Sequence, residues 1–192
     1  MLRYGGVPVL MGIARDDVTE ITARLRHGLE QGLDFLLTSG GISVGDFDVV
    51  KEVLSAEGKI GFWQVRMRPG KPLAFGEIGG VPLLGLPGNP VSAMLSFELF
   101  ARPAILKMLG KAHWDVPTVE ATLLEDVSTR RGFRYYLRVM LEEREGRYYA
   151  RLTGRQGSGI LLSMVKAQGL AIVPEEDTHL SAGETVRVML LD

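Results

Sequence analysis

The stretch Pro87-Gly88-Asn89-Pro90-Val91-Ser92 lies between the apolar run from Val81 to Leu86 and a helical pattern that starts at Val91. Its prolines restrict the backbone, and its glycine allows another chain segment to approach closely. Asn89 and Ser92 place polar groups at a helix start, where unpaired N–H groups and the helix dipole attract negative charge. The stretch therefore predicts a strand, an anion-binding turn and a helix. The same residues are also typical of a helix cap that binds no ligand.

A second turn of similar character extends from Thr38 to Asp48, with the sequence TSGGISVGDFD. It follows the short apolar run from Phe35 to Leu37 and precedes another helical pattern. Two strand-to-helix turns of one open α/β sheet meet at the carboxyl ends of the strands, which is where such sheets bind ligands. We therefore expect the two turns to lie side by side and to bind a doubly charged group.

Composition limits the classes of protein to which this chain can belong. Its 192 residues are 46% hydrophobic and 23% charged, with a net charge of -1, which is typical of a globular protein with a substantial core. There is no basic stripe for nucleic acid and no apolar run long enough to span a membrane. Because the chain has no cysteine, disulfides, thiolate catalysis and cysteine-ligated zinc are excluded, and a cytoplasmic location is expected.

The pattern of the chain changes at about Pro117. Strand-like and helix-like stretches alternate before it, whereas short strands and turns dominate after it. We predict two domains, residues 1–112 and 113–192. In the first, strands are predicted at Val7–Met11, Phe35–Leu37, Phe62–Met67, Leu73–Ile78 and Val81–Gly85, the last two joined by a hairpin turn at Gly79-Gly80. One helix is predicted after a cap at Asp16 or Asp17, and two others start at Val49 and at Val91, the last bending at Arg102-Pro103. In the second, strands are predicted at Val119–Leu124, Tyr135–Glu142, Arg147–Thr153, Leu170–Val173 and Val186–Leu191, with one helix at Ile160–Lys166.

Five segments of the chain carry distinctive sequence motifs: Gly12–Asp17, Thr38–Asp48, Met67–Pro72, Gly85–Ser92 and Gly157–Ser163. In this order they resemble the C-terminal half of the molybdopterin molybdenumtransferase family, which includes the MoeA-like enzymes and the gephyrin E domain. The resemblance implies an α/β fold class. It implies an incomplete molybdopterin-binding three-layer α/β domain, without its first strand and loop, followed by a small all-β barrel or sandwich domain.

The resemblance also implies a reaction, in which molybdate is inserted into adenylylated molybdopterin and AMP is released. Asp16 and Asp48 match the catalytic carboxylates of the family. A divalent metal that bridges a pyrophosphate needs hard oxygen ligands, usually carboxylates, so Asp46 and Asp48 are the expected Mg²⁺ ligands. These acids are equally typical of the first turn of a helix, where the helix dipole favours negative charge.

The substrate-binding residues implied by the matching strings carry hydroxyls, positive charges or exposed backbone N–H groups. Lys71 would neutralise phosphate or molybdate, and Arg68 would share this role as a bidentate donor. Arg134, Arg138 and Ser158 are candidates for a secondary anion contact, although Arg138 alternates with apolar neighbours, which is also typical of the solvent face of a strand. The full set is Ser39, Gly40, Gly41, Ser43, Gly45, Arg68, Lys71, Pro87, Gly88, Asn89, Pro90, Ser92, Arg138 and Ser158.

Two features depart from the family pattern. Gln64 stands where relatives often carry lysine, and the chain enters after the domain's first strand and its Thr-Gly-Asp-Glu loop. The missing strand would leave a sheet edge exposed for pairing. The resemblance implies a homodimer, and catalysis is expected to require the N-terminal domains or a complementary N-terminal chain. The alternative is a non-catalytic module that binds molybdopterin or an anion, or that binds a protein as a gephyrin-like scaffold fragment.

Overall fold

The computed structural model describes residues 1–42 and 49–191, which form two compact units. The first comprises Met1–Val65 and Gly70–Trp114, and the second comprises Arg66–Pro69 and Asp115–Asp192. A four-residue segment of the N-terminal half therefore belongs to the C-terminal unit. The first unit is built around a sheet with helices, and the second around a barrel.

The first unit contains a four-stranded mixed sheet. The strands of the N-terminal half are β1 (Leu36–Ser39), β2 (Lys59–Gln64), β3 (Met67–Arg68), β4 (Pro72–Ile78) and β5 (Val81–Leu86). All except β3 belong to this sheet, in the order β1-β5-β4-β2. β1 pairs parallel with β5, whereas β4 pairs antiparallel with both β5 and β2. Gly79 and Gly80, both with positive φ, form the predicted hairpin turn between β4 and β5.

Two apolar cores lie on the two faces of this sheet. Helix α1 (Val18–Glu30) begins after Asp17, whose Oδ1 accepts a hydrogen bond from the Glu20 N–H, and it packs on one face together with helix α2 (Val49–Glu57). Leu83 of β5 lies in that core, whereas Leu84 and Leu86 lie in the core of the opposite face. This alternation is expected for a strand that is buried on both sides, and it confirms the α/β class.

The helix that follows Pro87 is interrupted, as the sequence predicts. Helix α3 (Pro90–Ser96) leads into a π-helical turn at Phe97–Ala101, and helix α4 (Arg102–Met108) follows it. Pro103 lies in the first turn of α4, and the widened turn before it relieves the clash that a proline ring makes with the preceding helical turn. No helix in residues 1–42 and 49–191 is long and apolar enough to cross a membrane.

The second unit is a closed barrel, which confirms the predicted small β domain. Its strands are β6 (Thr118–Leu123), β7 (Val127–Ser128), β8 (Arg134–Arg144), β9 (Arg147–Leu152), β10 (Gly169–Val173), β11 (His179–Leu180) and β12 (Thr185–Leu190), with helix α5 (Leu161–Val165) between β9 and β10. Five strands close in the order β10-β12-β6-β9-β8, because β8 also pairs with β10. Val139, Ala150 and Val188 are fully buried in its core.

One strand prediction was wrong, and another had the wrong bounds. Val7–Met11 forms no strand, and its side chains are largely exposed, with Val7 at 86% and Leu10 at 92%. Within the described residues this segment pairs with no strand, and the edge of β1 opposite β5 stays without a partner. The strand predicted at Phe62–Met67 ends at Gln64, and Met67 instead pairs with Arg134 of β8 in the second unit.

Candidate functional site

The two glycine-rich turns lie side by side at one edge of the first unit's sheet. β1 and β5 run parallel with Ser39 opposite Leu86, so the segments that follow both strands leave the sheet together. The Gly40 N–H donates to the Leu86 carbonyl at 3.0 Å, and the Ser39 hydroxyl donates to the Pro87 carbonyl at 3.2 Å. A Cβ added to Gly88 would lie 3.2 Å from the Gly40 Cα, so the two backbones are in contact.

Glycine is required in the first turn for two physical reasons. Gly40 and Gly41 have φ values of 92° and 66°, a left-handed conformation that other residues rarely adopt. A Cβ added to Gly41 would also lie 2.1 Å from a methyl group of Val50 at the start of α2. Successive N–H groups in turns of this kind form concavities that bind anions.

Lys71 comes to the same edge of the sheet. β4 begins at Pro72, and the antiparallel register that places Ala74 opposite Gly85 brings residue 71 level with the turn after β5. The Lys71 side chain is exposed and forms no ion pair within residues 1–42 and 49–191. Its ammonium group therefore adds a positive charge beside the two turns.

The polar side chains of the turns differ in accessibility. Ser39 is exposed, whereas Ser92 is buried in α3. Asn89 occupies the N-cap position of α3, but its side chain makes no capping hydrogen bond, so capping does not account for the choice of this residue. Thr38 pairs with Gly85, and its buried Oγ1 forms no hydrogen bond in the described part of the chain. A ligand atom or a water is the natural partner of such a hydroxyl.

Within the described residues, the predicted carboxylates do not form a cluster at the turns. Asp16 is exposed and precedes the N-cap of α1, and no hydrogen bond or ion pair described for residues 1–42 and 49–191 joins it to the turns. Ser43, Gly45, Asp46 and Asp48 lie outside the described residues. Within the described ranges, no three His, Asp or Glu side chains come together as a metal site. The assignment of Mg²⁺ to Asp46 and Asp48 stays a prediction.

Arg68 lies in the second unit, whereas Lys71 lies in the first. The exposed Arg68 guanidinium lies over the ring of Phe133, 4.5 Å from the ring centroid. Stacking on an aromatic face fixes the plane of a guanidinium and leaves the N–H donors at its edge available for a carboxylate or a phosphate.

Arg138 is buried, so the interpretation that it faces solvent is wrong. Its side chain is 1% exposed, although its position on β8 places it on the face of the strand opposite the core residues Leu137 and Val139. The segment from Gln156 to Ser163 covers it there: Nε donates to the Ser163 hydroxyl and Nη2 to the Gly157 carbonyl, each at 3.1 Å. Ser158 lies in the same segment.

The guanidinium of Arg138 is not neutralised by any described residue. Its Nη1 is buried and donates to no acceptor within residues 1–42 and 49–191. Burial lowers the pKa of the Arg138 guanidinium, and no nearby carboxylate counteracts this effect. A buried cation without a counter-ion is costly, which makes this position a candidate anion contact.

Comparison with known proteins identifies both units. A family described as a probable molybdopterin binding domain matches residues 1–107, and the MoeA C-terminal region, domain IV, matches residues 120–191. The chain belongs to the MoeA-like molybdopterin molybdenumtransferase family.

MoeA-like relatives match nearly all of the chain. Molybdopterin molybdenumtransferase from Haemophilus influenzae is 36% identical over 186 residues, which are 93% of this chain and 44% of the relative. Gephyrin from Dictyostelium discoideum is 32% identical and covers 95% of the chain, which is 29% of that protein. The structure of the molybdopterin biosynthesis MoeA protein from Pyrococcus horikosii matches with a TM-score of 0.79 at 32% identity, covering 97% of this chain and 44% of that one. The chain thus spans less than half the length of these relatives.

Sequence reasoning about this MoeA-like chain missed three polar residues at the candidate sites. Thr38 was predicted only as the start of a turn, although it lies within β1. Gln156 and Ser163 were not predicted as partners of Arg138. Ser163 did carry a signal, because it is the one polar residue in the otherwise apolar run from Ile160 to Val165.

Proposed function

We propose that this chain is the molybdopterin-binding part of a molybdenum cofactor biosynthesis enzyme, which inserts molybdate into adenylylated molybdopterin and releases AMP. The observation that carries the proposal is the contact between the turns at Gly40 and Gly88. Adenylylated molybdopterin carries a pyrophosphate, and the two turns offer glycine-rich backbone and the nearby Lys71 ammonium to an anion of this kind. The Ser39 hydroxyl joins the two turns by its hydrogen bond to the Pro87 carbonyl.

The proposed domains are residues 1–112 and 113–192, and the proposed roles divide between the two units of the fold. In the first unit, the turns and Lys71 bind the pyrophosphate. In the second unit, Arg68, Arg138 and Ser158 contact a further oxyanion, and the burial of Arg138 with no counter-ion among the described residues supports this role. Asp16 and Asp48 are the proposed catalytic carboxylates.

Mg²⁺ is proposed as the metal cofactor, held by Asp46 and Asp48. When bound, it would neutralise oxygens of the pyrophosphate as a Lewis acid. The chain's own contribution is to orient the phosphates with backbone donors and to hold the leaving AMP in one position. Electrostatic positioning of this kind supplies most of the catalysis in phosphate chemistry.

We further propose that catalysis requires the part of the family architecture that this match does not cover. The relatives are more than twice as long as the matched region, so residues outside it have room to complete the active site. They would come from N-terminal domains or from a complementary N-terminal chain, and the active assembly is proposed to be a homodimer.

A second candidate function is a module that binds molybdopterin, or a protein partner, without turnover. The match to gephyrin of Dictyostelium discoideum supports this alternative. It keeps the anion site of the turns but assigns no catalytic role to Asp16 or Asp48.

The assay that separates these functions measures AMP release from adenylylated molybdopterin with molybdate and Mg²⁺. The chain is tested alone and together with the N-terminal domains of a relative. AMP release that depends on molybdate and is lost in Asp48→Asn supports the enzyme. Tight substrate binding without AMP release in either mixture contradicts the enzyme and leaves the binding module.

A further inference from the structure

Two polar side chains that the proposed function leaves without a role contact Arg138, Ser163 at its guanidinium and Gln156 at its backbone. Ser163 is 2% exposed and stands at the centre of the contact, because its Oγ accepts from Arg138 Nε at 3.1 Å and donates to the Ile160 carbonyl at 2.6 Å. A hydroxyl that donates to a fixed carbonyl has its lone pairs fixed as well, so it holds the guanidinium in one orientation.

Gln156 fixes the backbone of the same arginine. Its Oε1 accepts from the Arg138 N–H at 2.8 Å, and its Nε2 donates to the Arg138 carbonyl at 3.2 Å and to the Gly154 carbonyl at 2.9 Å. The amide of one side chain therefore pairs with both polar backbone groups of Arg138. The covering segment is therefore tied to β8 at this residue, whose carbonyl also accepts from the Thr153 N–H at 2.9 Å.

The three nitrogens of the Arg138 guanidinium differ in whether they have a hydrogen-bond acceptor. Nε and Nη2 each have a protein acceptor, whereas the buried Nη1 has none within the described residues. The acceptors that are present, a serine hydroxyl and a glycine carbonyl, are neutral. An oxyanion at Nη1 would satisfy the remaining donor and also neutralise the charge.

We propose that Ser163 and Gln156 are positioning residues, which hold Arg138 so that its Nη1 receives an oxyanion beside the turn Gly157–Gly159. The inference rests on the proposed function, in which Arg138 contacts the anionic substrate. Neither residue touches the anion, and each acts through Arg138. Gly157 and Gly159 flank Ser158, so the turn beside the site carries little side-chain bulk that would obstruct an anion.

The test follows the NMR signal of the Arg138 Nε–H group in the full 192-residue chain during titration with inorganic pyrophosphate. The signal is assigned by its absence in Arg138→Lys. In the wild-type chain we expect a saturable shift of this signal. Ser163→Ala should weaken pyrophosphate binding at this site by about tenfold, since it removes a hydrogen bond that orients a charged donor. Ser163→Thr, which keeps a hydroxyl, should restore most of the affinity.

Ser55→Ala is the matched control, because Ser55 is an exposed serine in α2 and the substitution is the same. It should bind as the wild type does. If Ser163→Ala does not fold, Gln156→Ala tests the same inference through the backbone contact, and it should also weaken binding. Wild-type affinity in both variants, or an Arg138 signal that does not move at saturating pyrophosphate, overturns the inference. Neither result affects AMP release, which tests the proposed function separately.

Discussion

Lys71 is the residue whose charge matters most to the proposed anion site. It is exposed, it precedes β4 at the edge where β1 and β5 end, and it has no ion pair within residues 1–42 and 49–191. We expect Lys71→Ala to weaken pyrophosphate binding by about 1.5–3 kcal/mol, measured by isothermal titration calorimetry. Lys59→Ala is the control, because Lys59 is an exposed lysine opposite Glu77, at the other end of the sheet. Equal affinities for the two variants would remove Lys71 from the site.

Gly88 tests the contact between the turns. A Cβ at this position would lie 3.2 Å from the Gly40 Cα, which is backbone and has to shift. We expect Gly88→Ala to weaken pyrophosphate binding by about fivefold, the equivalent of one impaired hydrogen bond, with little change in melting temperature. Gly6→Ala is the control, because its added Cβ would make only an ordinary contact of 3.6 Å with Ile105. Unchanged binding in Gly88→Ala would show that the turns need not touch.

Tyr4 gives a prediction with a defined pH dependence. Its hydroxyl donates to both carboxylate oxygens of Glu98, at 3.0 and 2.9 Å, and its ring stacks on Phe97. Burial, followed by the hydrogen bond to Glu98, raises the pKa of Tyr4 above its usual value of 10.0. A raised pKa in the folded state means that the contribution to stability is complete below pH 10 and is lost as the pH rises through the folded-state pKa.

We therefore expect Tyr4→Phe to lower the free energy of unfolding by about 1 kcal/mol at pH 7, measured by urea denaturation. The difference from wild type should shrink as the pH rises above 10. A difference that grows with pH in that range would contradict the assigned contact with Glu98.

At the scale of elements, β5 carries the packing of the first unit on both faces. Leu83 is fully buried in the core shared with α1 and α2. We expect Leu83→Ala to lower the free energy of unfolding by about 2–5 kcal/mol, because it leaves a cavity that the packed helices cannot fill. Leu10→Ala carries the same change at a residue that is 92% exposed, and it should be neutral. A comparable loss of unfolding free energy in the two variants would contradict the exposure of Leu10 in this structure.

The elements that could be predicted are those whose signals are local. The turn at Pro87–Ser92, the hairpin at Gly79-Gly80 and the interruption near Pro103 follow from glycine and proline chemistry, and all three were confirmed. Val7–Met11 failed because a strand exists only with a partner, and its apolar pattern carries no information about one. β3 was missed because two residues are too few to show any periodicity.

The two candidate sites, the paired turns and the buried Arg138, also differ in whether the sequence predicts them. The contact between the two turns was predictable, because parallel neighbouring strands bring their following turns together. The burial of Arg138 was not. Strand alternation places it on the face opposite Leu137 and Val139, and only the later segment Gln156–Ser163, distant in sequence, covers that face.

At the scale of the whole molecule, the chain combines a sheet unit that carries the paired turns with a barrel unit that carries a buried arginine. Both units match MoeA-like domains, and the chain spans less than half the length of its relatives. Anion binding by the turns is therefore expected of the chain alone, whereas AMP release is expected only when the rest of the architecture is supplied.

The most direct test of this account is a titration of the ¹⁵N-labelled chain with inorganic pyrophosphate, following the backbone amide signals of both turns. The account predicts that the signals of Gly40, Gly41, Gly88 and Asn89 shift together and fit one dissociation constant, because the two turns form a single site. Signals that do not move, or that fit different constants for the two turns, would contradict it.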